Sequence, residues 1–147
     1  FFNTIGPRQT GRYGMVVPSF IQQALKNEDL SIYGNGTQTR CFCHVEDLIK
    51  AVTSLMDTPD TAGEVFNIGS GEEISIEQLA DKIIKKTNSK SSKRFLTYQQ
   101  AYGRAIEDMM RRVPDTSKIK KAVNWEPNSS LDNTLEIIIK NMQKERT

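Results

Sequence analysis

Apolar positions recur along this chain at two periods, and each period marks a different kind of element. Val16, Val17, Phe20, Ile21, Ala24 and Leu25 repeat at helical spacing, which predicts an amphipathic helix over roughly 16–27. Pro18 falls in its first turn, where a missing N–H costs little. Leu48, Ile49, Val52, Leu55 and Met56 predict a second helix. It starts near Glu46-Asp47, whose carboxylates suit the positive end of a helix dipole. Ile76, Leu79, Ala80, Ile83 and Ile84 predict a third, opened by Ser75-x-x-Gln78 in the form of a capping box and closed by Lys85-Lys86. A short helix over 115–123 and a last one over 131–142 follow, the latter striped by Leu131, Leu135, Ile138, Ile139 and Met142. Between the helices, residues 30–33, 39–43, 64–68 and 94–98 read as short strands. Asn35-Gly36 joins the first two and predicts a hairpin. Helices alternating with short strands predict an α/β or α+β domain.

Composition narrows the function classes. The 147 residues fit one ordinary domain. Twenty Lys and Arg against eighteen Asp and Glu give a net charge of +2, too small and too evenly spread to mark a nucleic-acid binder. No stretch approaches the roughly 20 apolar residues that span a bilayer. The chain begins Phe1-Phe2-Asn3, an apolar start running straight into a turn, and reads as a strand cut from something larger. Cys41 and Cys43 are the only cysteines, and alternation places both on one strand face with Phe42 on the other. With His44 as the sole histidine, a metal set lacks further ligands, so a structural thiol pair in a reducing cytoplasm is expected.

Several residues could carry chemistry, each with a plain structural alternative. Gly69-Ser70-Gly71 could cradle a phosphate, but Ile74 stands where a third glycine belongs, and a turn needing positive φ is the simpler reading. Arg40 lies among residues expected to be buried, where a charge needs a partner, unless it faces solvent on an edge strand. Arg111-Arg112, ahead of Val113-Pro114-Asp115, could fork a phosphate or form a solvated charge cluster. The residues allow two separated arginines to clamp one diphosphate. Tyr13 and Tyr33 sit beside glycines and could edge a cleft or simply pack, and Asn3 could bind a ligand or serve its turn.

Beyond single residues, Phe1-Phe2-Asn3-Thr-Ile-Gly6-Pro7-Arg8, then Leu30-Ser-Ile-Tyr33-Gly-Asn-Gly-Thr-Gln-Thr-Arg40-Cys-Phe42, then His44-Val-Glu-Asp47-Leu stand in a telling order. Val65-Phe-Asn-Ile-Gly69-Ser, Arg112-Val-Pro-Asp115 and Trp125-Glu-Pro127 follow. Together they resemble the extended short-chain dehydrogenase/reductases that act on nucleotide-sugars as epimerases, dehydratases and decarboxylases, UDP-glucose 4-epimerase-like members above all. The resemblance implies an α/β fold: the C-terminal, substrate-binding part of a Rossmann-fold epimerase, with short strands and about five helices. Residues 1–5 would end a Rossmann strand, and 6–43 would form a substrate-binding segment with a hairpin. Residues 44–70 would rejoin the Rossmann half, and 71–147 would form the C-terminal substrate-binding domain. NAD would sit mainly on the N-terminal domain of a cytoplasmic homodimer, with a nucleotide-sugar, a UDP-sugar by preference, between the domains. No nucleic acid or membrane is implied.

In such an epimerase, a tyrosine takes the C4 hydroxyl proton while hydride passes to NAD, the keto-sugar turns over, and hydride returns to the other face. The resemblance places Asn3 at the sugar or diphosphate and Val16 and Val17 along the nucleotide pocket. Ser31 and Tyr33 would flank the uracil ring. Arg40 and Arg112 would hold the diphosphate, Asp115 a ribose hydroxyl, and Phe2 the nicotinamide end of NAD. Phe42 stands where tyrosine is frequent. UDP-glucuronate decarboxylase, dTDP-glucose 4,6-dehydratase and a non-catalytic sugar-nucleotide-binding or interaction module are the alternatives. Four residues after Tyr13, Tyr33, Tyr98 and Tyr102 come Val17, Thr37, Tyr102 and Ile106, so the family's Tyr-x-x-x-Lys does not occur. The chain is therefore expected to carry no catalytic residue and to be inactive alone. The helix bearing Leu48, Val52, Leu55 and Met56 is expected to expose an apolar patch.

Overall fold

The computed structural model describes residues 1–11, 15–103 and 108–145, so Tyr13 lies outside the described residues. The chain opens with β1 (Thr4–Ile5), α1 (Val16–Leu25), β2 (Leu30–Tyr33), β3 (Thr39–Cys41), β4 (Cys43–His44) and α2 (Val45–Met56). After a 3₁₀ turn at Pro59–Thr61 come β5 (Glu73–Ser75), α3 (Ile76–Thr87), β6 (Lys93–Leu96) and α4 (Tyr98–Tyr102). β7 (Arg111–Arg112), α5 (Ser117–Val123) and α6 (Leu131–Lys144) complete an α/β fold with six α-helices among the described residues.

The helices follow the apolar periodicity. α1 buries Val17, Phe20, Ile21 and Ala24, while α3 buries Ile76, Leu79, Ala80 and Ile83. α6 closes over them with Leu131, Leu135, Ile138 and Ile139, and Leu30 and Ile32 of β2 join the same cluster. Each such aliphatic side chain contributes about 1.5–3 kcal/mol on burial. The capping box at Ser75 and Gln78 forms as its spacing predicts, and Asn88 ends α3 in the left-handed conformation. Lys86 bridges Asp132 and Glu136 at 2.9 and 2.8 Å, pinning α3 to α6.

A second cluster joins Cys43, Leu48, Ala51, Ile68, Ile119 and Trp125. Asp47 organises it. Its buried carboxylate accepts the Asn128 and Ser129 backbone N–H groups at 3.1 and 2.8 Å, and its carbonyl accepts Trp125 Nε1–H at 2.9 Å. Leu48 thus turns inward, which corrects the expected patch at that residue. Met56, Phe1 and Val65 remain 79%, 76% and 80% exposed, so the apolar surface shifts to the far end of α2.

Among the described residues, three small sheets replace the expected hairpin. β2 pairs with β6 in parallel. β3 pairs antiparallel with β5 and parallel with β7, and β1 pairs parallel with β4. The Asn35-Gly36 turn exists, but Gly34 and Gly36 take positive φ while Asn35 does not, so this is not the type I′ turn of a two-residue hairpin. Residues 64–68 form no strand; Phe2 N–H donates to Ile68 O at 2.9 Å without extending into a ladder. Cys41, Phe42 and Cys43 are all buried, so both faces of this segment are covered and alternation there does not separate inside from outside. No helix of the described residues is long and apolar enough to cross a membrane.

Candidate functional site

Strand register brings the two arginines together. Arg40 of β3 is the direct partner of Arg112 of β7 in the parallel pairing. Paired residues on neighbouring strands project to the same face, so both guanidinium groups rise side by side. Alternation along β7 sends Arg111 the other way, where it holds Glu73 through two bonds of 3.1 Å. Thr39 and Arg111 together hold the Glu73 carboxyl below the usual carboxylate range. The apparent Arg111-Arg112 cluster is thus one outer ion pair and one inward cation.

Arg40 and Arg112 line a single cavity of about 450 Å³. Val16 and Val17 of α1 form its apolar wall. Leu30 and Ile32 face the core, so alternation turns Ser31 and Tyr33 toward the cavity. Phe42 and Asn3 complete the contribution of the expected residues. Ser31 is positioned by Gln23, whose Nε2–H reaches Ser31 Oγ and whose Oε1 accepts Ser31 N–H, both at 3.2 Å.

The two cations differ in environment. Arg40 is 8% exposed and fully engaged on one side. Nη1 donates to Thr39 O at 2.7 Å and Met109 O at 2.8 Å, and Nη2 to Asp108 Oδ1 at 2.6 Å. Tyr98 Oη donates to Asp108 Oδ2 at 2.7 Å. Arg112 has no carboxylate partner among the described residues. Its Nη2 donates to Asn3 Oδ1, and its buried Nε–H has no acceptor among the described residues. An unpaired buried donor is costly, and its presence on a cation lining a cavity suits an incoming anion. Asn3 holds this geometry from φ 41, with Nδ2–H donating to Cys41 O at 2.8 Å.

Two expected residues stay outside the cavity. Asp115 is exposed, and its Oδ1 accepts Ser117 N–H at 2.9 Å at the entry to α5, which holds the carboxyl below its ordinary range. Phe2 packs against Gly69, where an added Cβ would fall 2.9 Å from Phe2 Cβ and 2.8 Å from Pro114 Cγ. That packing explains Gly69. Neither Gly69 nor Gly71 takes positive φ, and Phe2 and Pro114 fill the room a phosphate would need at Gly69. Phe2 thus lies beside Gly69 and Pro114 and outside the cavity, while Arg40 and Arg112 bring two positive charges to its wall. Sequence reasoning did not single out Tyr98, Asp108, Gln23 or Gln38, which also line the cavity. The need of Arg40 for a counter-charge was the one available signal for Asp108.

The fold is an α/β scaffold whose cavity is lined by two register-paired arginines. The GDP-mannose 4,6 dehydratase family model matches residues 1–138, and the chain belongs to that family. It is 39% identical over 137 residues to UDP-N-acetyl-alpha-D-glucosaminuronate decarboxylase of Bacillus cytotoxicus, covering 92% of this chain and 42% of the relative. It is 38% identical over 144 residues to UDP-glucuronic acid decarboxylase 1 of Xenopus tropicalis, covering 98% and 32%. The crystal structure of UDP-glucuronic acid 4-epimerase from Bacillus cereus, in complex with UDP-glucuronic acid and NAD, superposes with a TM-score of 0.86 at 30% identity. That match covers 98% of this chain and 44% of the epimerase. The chain thus spans less than half the length of each of these proteins.

Proposed function

We propose that this chain supplies the diphosphate-binding face for a UDP-sugar in an NAD-dependent nucleotide-sugar enzyme. The observation that carries the reading is the register pairing of Arg40 with Arg112 on one cavity wall. Arg112 meets one phosphate with an uncompensated charge, and Arg40 meets its neighbour through donors left after its backbone contacts. Val16, Val17 and Phe42 supply an apolar wall for the base, and Ser31 and Tyr33 lie where they can flank its ring. Asn3 orients Arg112, and Asp115 reaches a ribose hydroxyl only if it leaves Ser117. The proton-abstracting tyrosine, its lysine and the NAD site, against which Phe2 would lie, are assigned to the part of the relatives that this chain does not span. Homodimer assembly, a cytoplasmic setting and the domain divisions at 1–5, 6–43, 44–70 and 71–147 belong to the same proposal. The Ile5–His44 register pair and the Phe2–Ile68 bond join 1–5 to 44–70 and support those divisions, with β4 straddling the boundary at 43/44.

The resemblance favours 4-epimerisation, as in UDP-glucose 4-epimerases. A specific observation favours decarboxylation as a second reading: the two curated relatives above are decarboxylases of UDP-sugar acids. Carbon dioxide released from UDP-glucuronic acid by the longer protein, with no UDP-galactose formed from UDP-glucose, decides for the second. Titration calorimetry of the chain tests the shared core of both. UDP is expected to bind, with Arg112→Ala and Arg40→Ala each weakening it at least about tenfold. Equal affinity for UDP and uridine overturns the diphosphate reading.

A further inference from the structure

Within the cavity, one anion is already in place. Arg40 has five N–H donors. Three are spent on Thr39 O, Met109 O and Asp108 Oδ1, which leaves Nε–H and one Nη2–H. Asp108 lines the same cavity as the guanidinium it neutralises, and its side chain is 31% exposed against 10% for Arg40. The carboxylate is thus the more exposed member of an ion pair whose two partners both line the cavity. Its second oxygen is held by Tyr98 Oη, another lining residue. Arg112, beside Arg40 in register, has no such partner among the described residues.

We propose that Asp108 is a resident counter-ion that a diphosphate must displace or bind against, so that it sets the affinity of the site. This rests on the diphosphate reading given above. In the ligand-free protein, Asp108 neutralises Arg40 and relieves its repulsion with Arg112. A diphosphate approaching both guanidinium groups brings like charge against Asp108 in a partly buried, weakly screened space. The carboxylate opposes binding, and Tyr98 strengthens that opposition by fixing Asp108 on Arg40. Ligands without phosphate do not feel it.

Asp108→Asn keeps the shape and one acceptor for Arg40 while removing the charge. Calorimetry with UDP is expected to show tightening of roughly tenfold over the unmodified chain, a difference that shrinks as salt rises. Uridine affinity stays unchanged. Tyr98→Phe, which keeps every charge and releases Asp108 Oδ2, is expected to tighten UDP by a few-fold; it also covers the case in which Asp108→Asn fails to fold. If the unmodified chain binds UDP and neither variant binds it more tightly, Asp108 is not a competing counter-ion, and the diphosphate site stands without it. If Asp108→Asn weakens UDP, the carboxylate positions Arg40 instead, and the proposal is overturned. Absence of UDP binding by all three proteins removes the site and this proposal together.

Discussion

Arg40 and Arg112 are register partners on adjacent parallel strands, so two guanidinium groups from distant parts of the chain share one face. Like charges placed this way repel. Asp108 relieves one of them, and the Nε–H of the other stays buried without an acceptor among the described residues. A sheet built only for stability has no need of this arrangement, whereas the proposed diphosphate site uses both charges.

The first consequence is thermal. An anion that binds only the folded chain stabilises it by mass action, by about 2.7 kcal/mol at one hundred times its dissociation constant. Saturating UDP is expected to raise Tm in a fluorimetric melt, with uridine at the same concentration giving a smaller shift. Equal shifts for the two ligands contradict the placement of the phosphates on the arginines.

Asn3 is the joint between the strands that carry the arginines. It accepts from Arg112 and donates to Cys41 O. Asn3→Ala removes both bonds and strains a left-handed backbone, which costs about 1–2 kcal/mol beyond the lost bonds. Asn3→Gly removes the bonds without the strain. Both variants are expected to weaken UDP about tenfold, with only Asn3→Ala showing the extra loss of stability in urea. Unaltered UDP affinity in both variants rules out a positioning role for Asn3.

Asp47 tests the second cluster independently of the site. Asp47→Ala strands the Asn128 and Ser129 N–H groups and is expected to cost about 2–4 kcal/mol by chemical denaturation. Its UDP affinity, measured while folded, should match that of the unmodified chain. A cost under about 0.5 kcal/mol would mean that these bonds are replaced by water.

Burial, with a further push from Asp47, raises the Cys43 thiol to about 11 from an ordinary value of 9.0. The folded state therefore keeps a proton that the unfolded state releases. Stability is fully present below about pH 9 and falls as pH rises toward about 11. Urea midpoints of the unmodified chain should drop more steeply across this window than those of Cys43→Ala. Parallel curves contradict a buried, protonated thiol.

Local chemistry was legible in the sequence, and partner choice was not. The Ser75–Gln78 box and the α1, α3 and α6 stripes depend on residues within a few positions of one another, and they form as read. The strand at 30–33 was visible from its alternation, but its partner at 93–96 lies across α3, and nothing near Asn35-Gly36 reveals that choice. Likewise, the buried Arg40 announced a need for a counter-charge without naming Asp108. α4 went unseen because Thr97 and Gln100 cap a single short turn with no apolar period of its own. The convergence of Arg40 and Arg112 was inferred from resemblance and became a physical statement only once β3 and β7 were seen in register.

The central claim concerns one atom pair, and side-chain NMR observes it. The Nε–H resonance of Arg112, assigned by its loss in Arg112→Lys, should move on addition of UDP and stay in place on addition of uridine. A resonance that UDP leaves unmoved while UDP binds elsewhere on the chain contradicts the account.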